Sequence, residues 1–203
     1  MTPAYRKARK HLAREPVFKR IIDQVGRCTL QPNPDGFNVL VHSIVSQQIS
    51  GKAAASISGR LVAACGRKGL KPKRLAELSN EAIRACGLSA NKLLSLRSLT
   101  EHFLSDLKLR DFDALSDEEV HDHLIPIRGI GPWTVQMFLI FSLGRLDVFP
   151  TLDLGVRNAM QKQFDKEEMP VNEMIERAEP WRPYRSVATW YLWRSLGPVP
   201  QSD

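Results

Sequence analysis

Cysteine is scarce in this 203-residue chain, and the three present, Cys28, Cys65 and Cys86, lie far apart with no Cys-x-x-Cys pair. That spacing excludes a cysteine-built zinc site or iron–sulfur cluster. An odd, scattered set points to buried free thiols in a reducing compartment rather than a disulfide framework. Long apolar runs are missing too. None approaches the roughly 20 residues of a membrane span, and the basic first residues lack the apolar core of a secretory signal. No run of alternating β-branched residues bounded by hairpin turns is found, so a sheet is not expected. These absences predict a soluble, intracellular, helical protein.

Acid is absent from Gly36 to Ala76, whereas that stretch holds the bases Lys52, Arg60, Arg67, Lys68, Lys71, Lys73 and Arg74. Residues 1–27 add Arg6, Lys7, Arg9, Lys10, Arg14, Lys19, Arg20 and Arg27 against only Glu15 and Asp23. The acids gather at Glu101–Asp122 and Asp165–Glu179, and the formal net charge is +7. A basic side and an acidic side favour a polyanionic partner.

Apolar spacing predicts helices throughout. A first one is expected within Lys7–Val25, broken near Pro16, and another over Phe37–Ile49 with Phe37, Leu40, Val41, Ile44 and Val45 on one face. A helix over Ala53–Ala64 is followed by a basic loop, Lys68–Arg74. Further helices are expected before Gly87 and over Ala90–Leu107. Ser116-Asp-Glu-Glu119 has the form of a capping box. A last helix is expected over Tyr184–Leu196. His121 and His123, two apart on a helix, face different ways and are read as solvated rather than metal-binding. His42 is read as structural.

The richest segment is Ile127-Arg-Gly-Ile-Gly-Pro-Trp-Thr134. Gly129 and Gly131 flank Ile130 in a turn between helices, where glycine permits positive φ and close backbone approach. Pro132 suits the first helical position. The amides that open the next helix favour an anion. Twenty residues beyond Trp133, Asp153 stands in an apolar setting, where it or Thr151 starts a further helix. An Asp at that place is a favoured N-cap; it is equally a fixed carboxylate at constant reach from an anion-binding turn. Asp147 is read as a structural turn residue after Gly144-Arg145.

The string Ile127–Thr134 resembles the helix-hairpin-helix element of non-sequence-specific DNA-binding proteins. Phe149-Pro-Thr-Leu-Asp153-Leu-Gly-Val-Arg157 resembles the catalytic loop of the helix-hairpin-helix DNA glycosylases, without the glycine of that family's Gly/Pro loop. Val45-Ser-Gln-Gln-Ile-Ser50, Arg128-Gly-Ile-Gly-Pro-Trp133 and Trp181-Arg-Pro-Tyr-Arg-Ser186 leading into Trp190-Tyr-Leu-Trp193 are similar to the 3-methyladenine DNA glycosylase II (alkylpurine) branch. The resemblance spans about residues 37–196.

It implies an all-α, two-lobed glycosylase fold with the active-site cleft between the lobes. One lobe would be residues 37–145, including the hairpin 125–134; the other would join 1–36 to 146–203. Asp153 takes the catalytic role by resemblance: a carboxylate near the anomeric carbon stabilises an oxocarbenium-like sugar and orients water. Bifunctional members carry a Schiff-base lysine where this chain has Trp133, so the implied enzyme is monofunctional and uses water. Trp133 and Trp193 are the candidates to line the base pocket, where an aromatic face attracts a cationic alkylated purine. Trp181 and Trp190 are read as core, with Tyr184 a competing aromatic.

Gln48 matches the family's wedge into the duplex, and Gln47 either reads a neighbouring base or caps a helix. Ser50, Lys52, Gly129, Gly131 and Thr134 complete the expected DNA contacts. The carbonyls of Ile125, Ile127 and Ile130 match the family's site for a monovalent cation such as Na+ or K+; no organic cofactor is implied. The expected partner is double-stranded DNA containing alkylated bases, bound by a monomer without a membrane, in a bacterial cytoplasm or a eukaryotic nucleus. Two alternatives stand beside the hydrolase: a non-catalytic damage-binding module, and a glycosylase with lyase activity on another lysine such as Lys52.

Overall fold

The computed structural model describes residues 2–105 and 109–197, and among these there are helices and no strand. In chain order the helices are α1 (Pro3–Leu12), α2 (Pro16–Val25), α3 (Gly36–Ser46), α4 (Gly51–Ala64), α5 (Pro72–Glu77) and α6 (Asn80–Ala85). Then come α7 (Ala90–Ser105), α8 (Asp117–Leu124), α9 (Pro132–Phe141), α10 (Leu154–Gln163), α11 (Val171–Ala178) and α12 (Arg185–Ser195). Short 3-10 turns occupy Leu109–Ala114 and Glu179–Trp181. No helix among the described residues is long and apolar enough to cross a membrane. The chain divides into two compact units. One joins the residues up to Pro32 to those from Gly144 to the last one described; the other runs from Asn33 to Leu143.

The unit formed by the two chain ends is organised around α12, which packs on α2, α10 and α1. Its Val187, Ala188, Tyr191 and Leu192 are fully buried, so nearly every face of this helix is interior. Helix α2 answers with Val17, Phe18, Ile21 and Ile22 on one face. Phe18 and Phe149 both meet the buried Trp181 edge-on, at centroid distances of 4.9 and 5.6 Å, the geometry the ring quadrupole favours. Trp190 is buried as well. The N-terminal helix starts at Pro3, not Lys7. Thr2 Oγ1 accepts the Tyr5 amide at 3.3 Å and Pro3 fills the first helical position, a start signal stronger than the basic run that follows.

The second unit centres on α3, which packs against α9, α4 and α7. Its Phe37, Leu40, Ile44 and Val45 are almost wholly buried. It ends at Ser46, short of Ile49, because Gln47 leaves helical geometry at ψ 128° and Gln48 takes φ +56°. The stretch 68–74 is not all loop as expected: Pro72 opens α5, whose Leu75 is fully buried. There proline marks a helix start rather than a break. Ser116 does form the capping box, its Oγ accepting from Glu119 N at 3.2 Å while its own amide donates to Glu119 Oε2 at 2.7 Å. Helix α7 is described to Ser105; the expected end at Leu107 lies outside the described residues.

Candidate catalytic carboxylate and hairpin

In the first unit the chain approaches Asp153 through a loop that is pinned at several points. Asp147 accepts from Arg185 Nε at 2.8 Å and from Arg182 Nη1 at 2.6 Å. Burial pushes the Asp147 carboxyl up, but hydrogen bonds and charge from Arg185, with the Arg182 charge, outweigh it and hold the group below its ordinary value. Val148 N donates to Ser186 Oγ at 2.9 Å, Ser186 N to the Leu146 carbonyl at 2.9 Å, and Asp153 N to the Pro150 carbonyl at 3.0 Å. Asp147 is thus a strut of the loop.

Asp153 is the N-cap of α10, which settles the choice between it and Thr151: Oδ1 accepts the Val156 amide at 2.8 Å. The same oxygen accepts Trp193 Nε1 at 2.8 Å from α12. Two donors on one oxygen fix the plane of the carboxylate, and hydrogen bonds to an ionised acceptor are among the stronger ones. The pairing depends on Gly155. A Cβ built there would stand 3.0 Å from Trp193 Cδ1, 3.1 Å from Asp153 Oδ1 and 3.2 Å from Trp193 Nε1. On either side Leu152 and Leu154 are exposed, Leu154 to 69%. An aromatic ring, a carboxylate and exposed apolar side chains therefore share one end of α10. Gly155 was missed in the sequence, where it reads only as a weak helix residue.

In the second unit the hairpin follows α8. Ile127 N donates to the Leu124 carbonyl at 3.1 Å and Ile130 N to the Ile127 carbonyl at 3.0 Å. The Ile127 and Ile130 side chains are buried, plugging the turn into the core. Only one of the two glycines uses the conformational freedom of its type. Gly129 has φ +80°, and a Cβ there would lie 2.1 Å from Ser95 Oγ. Gly131, with φ −112°, is the N-cap of α9, and a Cβ on it would meet nothing within 4 Å. Among the described residues, no contact requires glycine at 131.

Gln47 makes a contact that neither of its two expected roles includes. Its Nε2 donates to the Gly129 carbonyl at 3.0 Å and to Thr134 Oγ1 at 3.2 Å, tying the end of α3 to the hairpin. Thr134 is itself 1% exposed, so it holds the turn from within, its hydroxyl accepting from Gln47. Gln48 and Ile49 are exposed beyond this tie, and φ +56° at a non-glycine residue is a strained geometry of the kind that clusters at working sites. Ser50 Oγ caps α4 by accepting Ala53 N at 3.3 Å, and Lys52 is exposed on its first turn. Of the three carbonyls matched to a cation site, that of Ile127 already accepts one hydrogen bond inside the turn. A carbonyl has two lone pairs, so the set remains chemically suited to a monovalent ion.

Lys92, Ser95 and Ser98 were also missed. Lys92 Nζ donates to the carbonyls of Val45 at 2.6 Å and Gln47 at 2.8 Å, while Ser98 Oγ accepts the Arg128 amide at 3.2 Å. All three lie on α7. No local spacing marks such residues, because each partner is 30 or more positions away.

Residues 41–183 match the family described as HhH-GPD superfamily base excision DNA repair protein. The chain is 31% identical over 198 residues to the alkylbase DNA glycosidase-like protein mag2 of Schizosaccharomyces pombe, covering 94% of this chain and 93% of that one. It is 35% identical over 187 residues to DNA-3-methyladenine glycosylase 1 of the same yeast, covering 88% and 81%. Among solved structures, the S. pombe 3-methyladenine DNA glycosylase (Mag1) in complex with abasic DNA superposes with a TM-score of 0.85 at 34% identity, over 93% of this chain and 96% of that one. The DNA-3-methyladenine glycosidase of Bacillus halodurans superposes with a TM-score of 0.79 at 34% identity, over 97% and 90%.

Proposed function

This chain belongs to the HhH-GPD superfamily of base excision DNA repair proteins, and on that premise we propose that it is a monofunctional DNA glycosylase. It hydrolyses the N-glycosidic bond of alkylated purines in duplex DNA, as a monomer. The observation that carries the reading is the Asp153 carboxylate, held on one oxygen by the Val156 amide and the Trp193 indole. The names of the relatives at 31–35% identity support the substrate class.

The chemistry needs little machinery. Alkylation at N3 or N7 leaves a positive purine, so the bond from the anomeric carbon to nitrogen breaks with its electron pair moving to the base. The sugar then carries oxocarbenium character, which a fixed carboxylate stabilises. Water forms the new carbon–oxygen bond, and its proton passes to Asp153 or to solvent. By resemblance Trp133 replaces the lysine that bifunctional members use as nucleophile, so the strand stays intact. Trp193, beside Asp153, offers an aromatic face to a cationic base, and Trp133 is the candidate that the resemblance gives for the same task.

The base must first leave the stack. Gln48, exposed and strained at the end of α3, fills the vacated space, with Ser50 and Lys52 nearby in sequence. Gly131 and the first turn of α9 take backbone phosphate, and the carbonyls of Ile125, Ile127 and Ile130 would hold a monovalent cation whose charge favours that phosphate. A duplex-DNA substrate supports a working compartment inside the cell, the cytoplasm of a bacterium or the nucleus of a eukaryote.

The test is a duplex carrying one 3-methyladenine- or 7-methylguanine-type lesion. The expected result is release of the free base, strand scission only after alkali, and no protein–DNA adduct on borohydride treatment. Scission without alkali together with a trapped adduct would replace the hydrolase with a lyase. Saturable DNA binding with no base release would leave a binding module.

A further inference from the structure

We propose that Lys92 is a positioning residue for base extrusion, holding the Gln48 turn in the shape that enters the duplex. The inference rests on the extrusion role given to Gln48 above, but its observations are separate. A helix leaves its last carbonyls without partners, and the end of α3 meets this with a side chain from another helix. Lys92, on the first turn of α7, donates to the Val45 and Gln47 carbonyls at 2.6 and 2.8 Å. The ammonium is half-buried, and burial pulls its pKa below the ordinary lysine value. A cation is drawn out of water here to grip two backbone oxygens.

The next residue along, Gln48, is the one at φ +56°. A side-chain-bearing residue keeps that conformation only when its surroundings over-determine it. Lys92 grips the backbone immediately before Gln48, and the Gln47 side chain ties the same turn to the Gly129 carbonyl and Thr134. Below, Ser98 Oγ holds the Arg128 amide, so α7 is the common platform of turn and hairpin. Across Gln48 itself the backbone adds only a long bond, Ile49 N to the Ser46 carbonyl at 3.4 Å, before Ser50 caps α4. Without Lys92, two helix-end carbonyls lose their donor and Gln48 is released toward ordinary right-handed geometry. Exposed on the surface, it then has no fixed direction.

The experiment places 2-aminopurine in a duplex at the extrusion position and reads its fluorescence at saturating protein, a signal that requires unstacking but no bond cleavage. Lys92→Met keeps the length and apolar stem of the side chain and removes the donors. The wild type is expected to brighten the probe. Lys92→Met is expected to bind with a similar Kd yet leave the probe largely dark in paired duplex, and to brighten it when the base sits in a bulge. Lys92→Arg is expected to recover part of the signal. In single-turnover base release, Lys92→Met is expected to lose about 10- to 100-fold on the paired duplex and much less on the bulge, the scale of a misplaced group.

Equal brightening by Lys92→Met and wild type on paired duplex would overturn the inference. So would an equal loss on paired and bulged substrates, which is the mark of a merely structural residue. A wild type that binds duplex without brightening the probe would refute the extrusion role of Gln48, and this inference with it. A wild type that brightens the probe but releases no base would leave Lys92 in place and refute only the hydrolase.

Discussion

Replacing Gly129 by alanine makes two demands on the hairpin at once. The residue sits at φ +80°, where a side chain costs about 1–2 kcal/mol. The new Cβ would also lie 2.1 Å from Ser95 Oγ and 2.7 Å from Ser95 Cβ, contacts that force the turn away from α7. Overpacking of this kind costs about 1–3 kcal/mol. The sum is about 2–5 kcal/mol, and for a chain of this size it lowers Tm by roughly 5–20 °C. Ser95→Gly removes both clashing atoms; the remaining contact, Ser95 Cα at 3.8 Å, is an ordinary one. Glycine within α7 itself costs about 1 kcal/mol, so the double variant separates steric from backbone strain. Urea titration of the four proteins is expected to give a favourable coupling of about 1–3 kcal/mol between the two substitutions. Gly131→Ala, with open space around its Cβ, is the control and is expected to stay within about 0.5 kcal/mol of wild type. A Gly129→Ala as stable as that control, or strictly additive energies in the cycle, would refute the reasoning.

Gly155→Ala should separate stability from catalysis: helix propensity favours alanine by about 0.5–1 kcal/mol, whereas the methyl would press on Trp193 and Asp153 at 3.0–3.2 Å. Tm is expected to hold while kcat for base release falls about tenfold, and the fall should shrink in a Trp193→Phe background; an additive loss would show that Gly155 does not act through Trp193. For Asp147, a carboxyl held below its ordinary value contributes stability that is whole at neutral pH and fades as pH falls below about 4. Asp147→Asn is therefore expected to unfold more readily at pH 7 and to converge on wild type in acid, checked by thermal melts from pH 2.5 to 7; a constant gap would remove Asp147 from the linkage.

What could be read from the chain alone divides along the range of the contact. The Ser116–Glu119 capping box and the Asp153 cap are local: donor and acceptor lie three residues apart, so their spacing is visible. The all-helical fold follows from apolar spacing of the same short range. The start of α5 at Pro72 was misread because proline serves both to break and to open a helix, and only the burial of Leu75 decides. Lys92, Ser95 and Gly155 were invisible for a different reason. Lys92 reaches carbonyls 45 and 47 residues away, and Gly155 matters only because Trp193 arrives from α12. The sequence marks Gln47, but its bond to the Gly129 carbonyl spans 82 residues, so local spacing does not assign its task. In this protein the caps are written locally, while the supports of the turn and of the carboxylate are written in tertiary contacts.

The central claim is that Asp153 does the chemistry. Single-turnover release of an alkylated purine from duplex DNA, compared between wild type and Asp153→Asn at saturating protein, tests it most directly. Asparagine can still accept the Val156 amide and the Trp193 indole through its carbonyl oxygen, so folding and DNA affinity are expected to persist while the rate falls by about 100-fold or more. A variant that binds the duplex normally and releases base at the wild-type rate would contradict the account.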